Sequence, residues 1–282
     1  MRIGYRNYSA KKIFSKSILH IVLLGGGFLM IFPMLFMIFS SFKPSLEIIS
    51  IDFHLIPRHW TLRNYNRVLE ELTLGRGFIN SIIVSGLATA SVLLTSTAAG
   101  FMFAKLKFRG RETLFFVVLA SIMLPPQIVL IPLYILMNKF GLINSYMGLI
   151  FPFLMYPFGI FLMRQFMMGI PNDLIEAAKI DGASDFAIYF RIIIPLVRQS
   201  IAVLAILIFL WTWDEFLWPL VMVNQNEMKT LPLHLAHFTM AEGQFPGESM
   251  AASTLVVVPI LIVYAFFQRH FIRGLSMTGM KG

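Results

Sequence analysis

Apolar residues gather in six long runs, at about residues 18–39, 78–104, 113–137, 146–168, 199–223 and 250–267. A helix needs roughly 20 apolar residues to cross a bilayer core of about 30 Å. The pattern therefore predicts an all-α polytopic membrane protein with six transmembrane helices. The first run follows a segment holding Arg2, Arg6, Lys11, Lys12 and Lys16 and no acid. It is too long for a signal peptide and lacks a small-residue cleavage site, so it is read as a retained span. The second run carries Ser81, Ser85, Gly86, Ser91, Thr95, Ser96 and Gly100, which predicts close packing inside a bundle. The third contains Pro125, Pro126 and Pro132, whose freed carbonyls need protein neighbours or a wet cavity.

Polar loops separate these runs. The longest, 40–77, has an amphipathic pattern around Asn64–Leu72. Others lie at 105–111, 138–145 and 224–249, and a tail follows at 268–282. The chain divides into a terminal segment, first helix and loop (1–77), a transmembrane core (78–272) and a short tail (273–282). No internal repeat or flexible linker splits it further.

One stretch breaks the greasy pattern. Residues 171–195 carry Asp173, Glu176, Asp181 and Asp185 with Lys179 and Arg191. They read as a short helix, a turn at Gly182 and a second short helix. Asp173 and Glu176 have the spacing of a capping box, and Ser184 is placed to cap the second helix. Ala177 and Ala178 give the first helix low relief, and Pro195 opens the next run.

Composition and charge agree. Hydrophobic residues make up 57% of the 282 residues and charged residues 13%, with a mean hydropathy of +0.77, far from the soluble norm. The net charge of +9 needs no nucleic acid to explain it. With the amino terminus inside, cytoplasmic segments hold 16 of the 23 Lys and Arg residues and external loops hold 7. That bias places both termini and the 171–195 knob in the cytoplasm. The absence of cysteine excludes disulfides, thiol catalysis and cysteine metal sites.

Enzymatic signatures are missing as well. There is no phosphate-binding loop of the Gly-x-x-x-x-Gly-Lys type, no nucleophile elbow and no His-Glu-x-x-His helix. His234 and His237 have metal-ligand spacing but no third ligand. The fifth run holds Trp211, Asp214, Glu215 and Trp218. Their i, i+3, i+4, i+7 spacing predicts one shared helical face, with Asp214 roughly 22 Å along the helix from Gln199. Carboxylates inside a membrane normally face a bundle interior or a water-filled path. Paired with indole faces, they also suit a sugar, since carboxylates accept hydroxyl protons and indoles cover C–H faces.

Glu176-Ala177-Ala178, Gly182 and Ile192-Ile193-Ile194-Pro195 together form a spaced signature that resembles the coupling loop of ABC importer permeases. Asn64-Tyr65, Ile131-Pro-Leu-Tyr134, Pro157-Phe-Gly-Ile-Phe-Leu162, Asp181-Gly-Ala183, Glu215-Phe-Leu-Trp-Pro219 and Met250-Ala-Ala-Ser253 extend the match. It spans nearly the whole chain and is most similar to the carbohydrate-uptake, MalG-like branch. Ile194 stands where the signature usually has Leu, and Asp214 where the branch often has Asn.

The resemblance implies a type I importer permease fold with a cytoplasmic coupling helix. The chain itself is then no enzyme and binds no cofactor, because ATP and Mg reside on a partner ATPase. Implied partners are a second related permease, two ATPase subunits and an extracytoplasmic solute-binding protein. Glu176, Ala177, Ala178, Asp181, Gly182, Ala183 and Pro195 would couple to the ATPase, and Trp211, Asp214, Glu215 and Trp218 would line the substrate path. The cargo implied is a sugar or small oligosaccharide. Polyamine, amino-acid or phosphate permeases share the coupling signature. An ion-driven secondary transporter fits less well, since it should show repeats with ionisable residues in corresponding halves.

Overall fold

The computed structural model describes residues 5–71, 74–241 and 245–278, and among these every regular element is helical. Among the described residues three helices are long and apolar enough to cross a membrane, within Phe14–Ser41, Gly75–Lys105 and Pro246–Phe266. Three further pairs meet that test only as bent pairs, so the count reaches six when each pair is one span.

The chain forms two compact units, residues 1–71 with 238–255 and residues 72–237 with 256–282. In the first, α1 (Tyr5–Ser41) is exposed along its apolar middle. It is followed by α2 (Ser45–Ile48) and α3 (Arg63–Glu71), the latter matching the amphipathic pattern read around Asn64–Leu72. The end of α1 is held by side chains. Asn64, buried on α3, donates to the carbonyls of Ser41 and Lys43, each at 2.8 Å, satisfying groups that a helix end leaves open. The Tyr65 and Ser41 hydroxyls lie 2.7 Å apart, and the Lys43 ammonium donates to the His54 carbonyl. Glu248 is buried in the same unit, pairing with Arg67 at 3.4 Å and accepting from Ser45 at 3.2 Å. Gly247 is needed beside it, because a Cβ there would sit 2.7 Å from the Asn64 amide nitrogen.

The second unit is built on α4 (Leu74–Lys105). Its small residues do what the composition predicted. A Cβ on Gly100 would come within 2.7 Å of the Met163 Cβ, and one on Gly159 would meet the Ser96 hydroxyl. The backbones therefore approach closely, as small residues permit in membrane bundles. At the N-terminal end of α4, buried Asn80 donates to the carbonyls of Glu227 (2.8 Å) and Lys229 (2.9 Å) and accepts from Tyr146 (2.7 Å). Ser81 accepts the Leu231 N–H at 2.9 Å. These bonds fasten the loop after residue 223 to the helix.

The remaining helices break where proline dictates. The third run is not one helix: α5 (Arg111–Ile122) and α6 (Pro126–Lys139) meet at 100° across Pro125-Pro126. The fourth is α7 (Tyr146–Ile150), a 3-10 turn over Phe151–Phe153, then α8 (Pro157–Met168), with a 43° bend. Next come α9 (Asn172–Ile180), α10 (Asp185–Ile188), a π-helical segment Tyr189–Ile193 and α11 (Ile194–Leu196). A 76° bend at Val197 leads into α12 (Arg198–Trp213). The chain ends with α13 (Leu217–Met222), α14 (Leu231–Ala241) and α15 (Pro246–Thr278). The expected tail from 273 continues α15 as far as Thr278, and residues 279–282 lie outside the described residues.

Candidate functional site

The 171–195 stretch folds as the helix–turn–helix knob that its sequence predicts, with one exception at its start. The residue preceding α9 is Pro171, and no side chain caps the helix. The capping box expected from Asp173 and Glu176 is absent. Asn172 instead turns its Oδ1 to the Lys105 ammonium at 2.8 Å, and that lysine also donates to the Ile170 carbonyl at 2.6 Å. The end of α9 behaves as read. Gly182 adopts φ +80°, the left-handed conformation glycine enters without penalty. Around it the Asp181, Gly182 and Ala183 N–H groups donate to the carbonyls of Ala177, Lys179 and Ala178, closing the helix as a Schellman-type turn does. Ser184 caps α10 by accepting the Ala187 N–H at 3.2 Å, and Lys179 pairs with Asp185 at 3.0 Å.

Burial sorts the predicted coupling residues into two groups. Ile175 and Ile188 enter the core with Phe101 and Met167, and the half-buried Ala178 and Ala183 pack against the same cluster. Glu176, Ala177, Asp181 and Gly182 face outward, as do Leu174, Ile180 and Phe186. Pro195 is exposed and has no N–H for the helix ladder, which accounts for the π-helical turn before it and the bend after it. The knob is thus anchored on one side and offers acids, small residues and exposed apolar side chains on the other.

The second group is not arranged as its spacing predicts. Trp211, Asp214, Glu215 and Trp218 do not share a helical face, because α12 stops at Trp213 and α13 begins at Leu217. Pro219 supplies the reason, since its ring cannot be accommodated over the carbonyl four residues back, that of Glu215. Trp211 is exposed and its ring lies against Phe158 (5.4 Å) and Tyr156 (6.1 Å). Asp214 is exposed where α12 ends. Glu215 is half-buried and its Oε1 accepts the Trp218 N–H at 3.0 Å, capping α13 from just outside the helix. Trp218 is buried and donates its indole N–H to the Gly148 carbonyl at 3.0 Å. It is a packing residue. Trp213, which the sequence reading passed over, is the most buried tryptophan of this stretch. It lies between Phe78 and Phe209 and reaches the Val256 carbonyl at 3.4 Å.

The break nevertheless opens space. A cavity of about 680 Å³ lies where α5–α6, α7–α8 and α12–α13 are interrupted, lined by Ser121, Pro126, Phe153, Tyr156, Glu215 and Trp218 among others. Its walls are mainly apolar, and among the described residues Glu215 is the one carboxylate lining it. Asp214 and Trp211 lie outside it. No group of histidines and acids among the described residues could hold a metal, and the His237 side chain lies outside them.

A bundle of broken helices carrying an exposed helical knob is the architecture of a membrane permease subunit of an ABC importer. It matches a chain of the bacterial ABC transporter that imports the acidic polysaccharide alginate, with a TM-score of 0.82 over 96% of this chain and 100% of that one, at 23% identity. Residues 92–277 match the binding-protein-dependent transport system inner membrane component family, and the chain belongs to that family. Among its relatives, the arabinooligosaccharides transport system permease AraQ of Halalkalibacterium halodurans is 39% identical over 258 residues, 90% of this chain and 92% of that protein. The diacetylchitobiose uptake system permease NgcG of Streptomyces coelicolor is 33% identical over 264 residues, covering 92% of this chain and 87% of that protein. A second alginate transporter structure, containing a pentasaccharide-bound periplasmic protein, has a chain similar at a TM-score of 0.63.

Proposed function

We propose that this permease subunit imports a small oligosaccharide, driven by ATP hydrolysed on a separate subunit that docks on the 171–195 knob. The observation that carries the reading is the knob itself. Ile175 and Ile188 root it in the core, while Glu176, Ala177, Asp181 and Gly182 are left outward with none of the described residues covering them. Small residues allow a partner to approach closely, and the two acids offer charge to a partner's bases. The excess of Lys and Arg in the connections on the knob's side supports a cytoplasmic knob and cytoplasmic termini.

Two ATPase subunits would close on binding ATP and Mg, and the knob would transmit that closure to the spans in a motion of the hinge type. A second permease would complete the path, and an extracytoplasmic binding protein would deliver the cargo. The sugar assignment draws support from AraQ and NgcG, whose names give arabinooligosaccharides and diacetylchitobiose. The cavity at the helix breaks is this chain's contribution to the path, with Glu215 the acceptor for a sugar hydroxyl. The test is uptake of a panel of labelled oligosaccharides by cells with the gene deleted and restored. Restored accumulation of an oligosaccharide, lost on ATP depletion, is expected. Normal accumulation of every panel member in the deletion strain would overturn the reading.

A further inference from the structure

α4 holds the knob at both ends. Lys105 is its last residue, half-buried, and grips the entry to the knob through the Ile170 carbonyl (2.6 Å) and the Asn172 Oδ1 (2.8 Å). Eight residues earlier, Thr97 grips the exit. Its hydroxyl has one hydrogen, given to the Leu93 carbonyl at 2.6 Å, so the Tyr189 hydroxyl at 2.7 Å is the donor between them. Phe101 lies between the two and packs its ring 5.4 Å from that of Tyr189. Thr97, Phe101 and Lys105 are spaced four apart and occupy one face of α4.

Tyr189 opens the π-helical segment, where the backbone ladder is already loosened. The knob's other anchors, Ile175, Ile188 and Ile193 among them, are apolar contacts without direction. The polar grips add direction to that packing, and the ammonium–carbonyl and ammonium–amide bonds are charge-assisted.

We propose that Lys105 is a positioning residue for coupling: it locks the entry of the knob to α4, so that displacement of the knob moves that helix and not the loop alone. The proposal rests on the reading of 171–195 as the ATPase dock. Lys105 touches neither nucleotide nor cargo in this scheme; it acts through Ile170 and Asn172.

The test uses the complete transporter in lipid nanodiscs. The chain has no cysteine, so with cysteine-free partner subunits a spin-label pair at R109C and D173C reports the distance between the end of α4 and the knob. The expectation for K105M is a broadened distance distribution and a rise of about fivefold or more in ATP hydrolysed per solute moved, in the range of ordinary coupling energies. K105R should restore both. N172A removes one exposed bond without disturbing the core and should shift both readouts the same way, less far.

Two results would overturn the proposal: an unchanged distance distribution in K105M and N172A, or a broadened one with the ATP-to-solute ratio of the wild type. Failure of the ATPase subunits to bind the unmutated permease would instead overturn the docking reading beneath it.

Discussion

Replacing Gly182 by alanine and by leucine separates the turn's own geometry from what the turn docks against. At φ +80° any residue with a Cβ is strained by about 1–2 kcal/mol. That is enough to shift the local turn population by a factor of roughly 5 to 30. Nothing lies within 4 Å of the position a Cβ would take, so the structure adds no clash to this cost. The Ser184 cap, the Lys179–Asp185 pair and the buried Ile175 and Ile188 remain to hold the turn. Alanine and leucine therefore carry the same penalty in the isolated permease, and both variants should melt alike in detergent. Their bulk differs only against a docked partner.

The assay is co-purification with the ATPase subunits and solute-stimulated ATP hydrolysis in nanodiscs. G182A should keep much of both, whereas G182L should lose most of its stimulated hydrolysis. Equal behaviour of the two variants in the assembled transporter would refute the reasoning, because strain alone would then account for everything.

Other consequences follow from the packing. A Cβ at Gly148 would overlap the Leu142 carbonyl, which is pinned by the Ser145 hydroxyl at 2.7 Å, and the Met222 Cε. G148A should therefore cost about 1–3 kcal/mol by overpacking and change the fluorescence of Trp218. N80A strands two carbonyls and the Tyr146 hydroxyl in a buried site. It should destabilise by about 1–3 kcal/mol, seen as faster hydrogen exchange over 224–231. At the cavity, E215A removes both the acceptor for the Trp218 N–H and the charge, while E215Q keeps an acceptor. Uptake should fall in the order wild type, E215Q, E215A. D214A, outside the cavity, should fall less than either, and a D214A defect larger than that of E215A would contradict the placement of the path.

The knob was legible because its grammar is local. Polar residues interrupt an apolar chain, a glycine sits where a turn must go left-handed, and a serine stands three residues before the N–H it caps. Six runs and the small-residue face of α4 were equally plain, since bilayer length and close backbone approach leave compositional marks. What the sequence hid was where helices stop. Pro125-Pro126 and Pro219 lie within runs apolar enough to read as continuous, and hydropathy does not register a 100° turn. The helical spacing of Trp211, Asp214, Glu215 and Trp218 misled for the same reason: periodicity means nothing across a break at 214–216.

Long-range partners were also invisible. The cap read from Asp173 and Glu176 is replaced by Asn172, whose side chain answers to Lys105, 67 residues earlier. Trp218 looked like a ligand, but it is buried and its indole N–H is taken by the carbonyl of Gly148, 70 residues away.

The claim that the knob is where an ATPase subunit docks has one direct test. Ala177 is exposed at its centre, and A177C would be the sole cysteine of the chain. A photoactivatable maleimide at that position, irradiated in native membranes, should form an adduct with the ATP-hydrolysing subunit. That adduct should vanish when the ATPase gene is deleted. Adducts with lipid alone, while the ATPase subunit co-purifies with the same permease, would contradict the account.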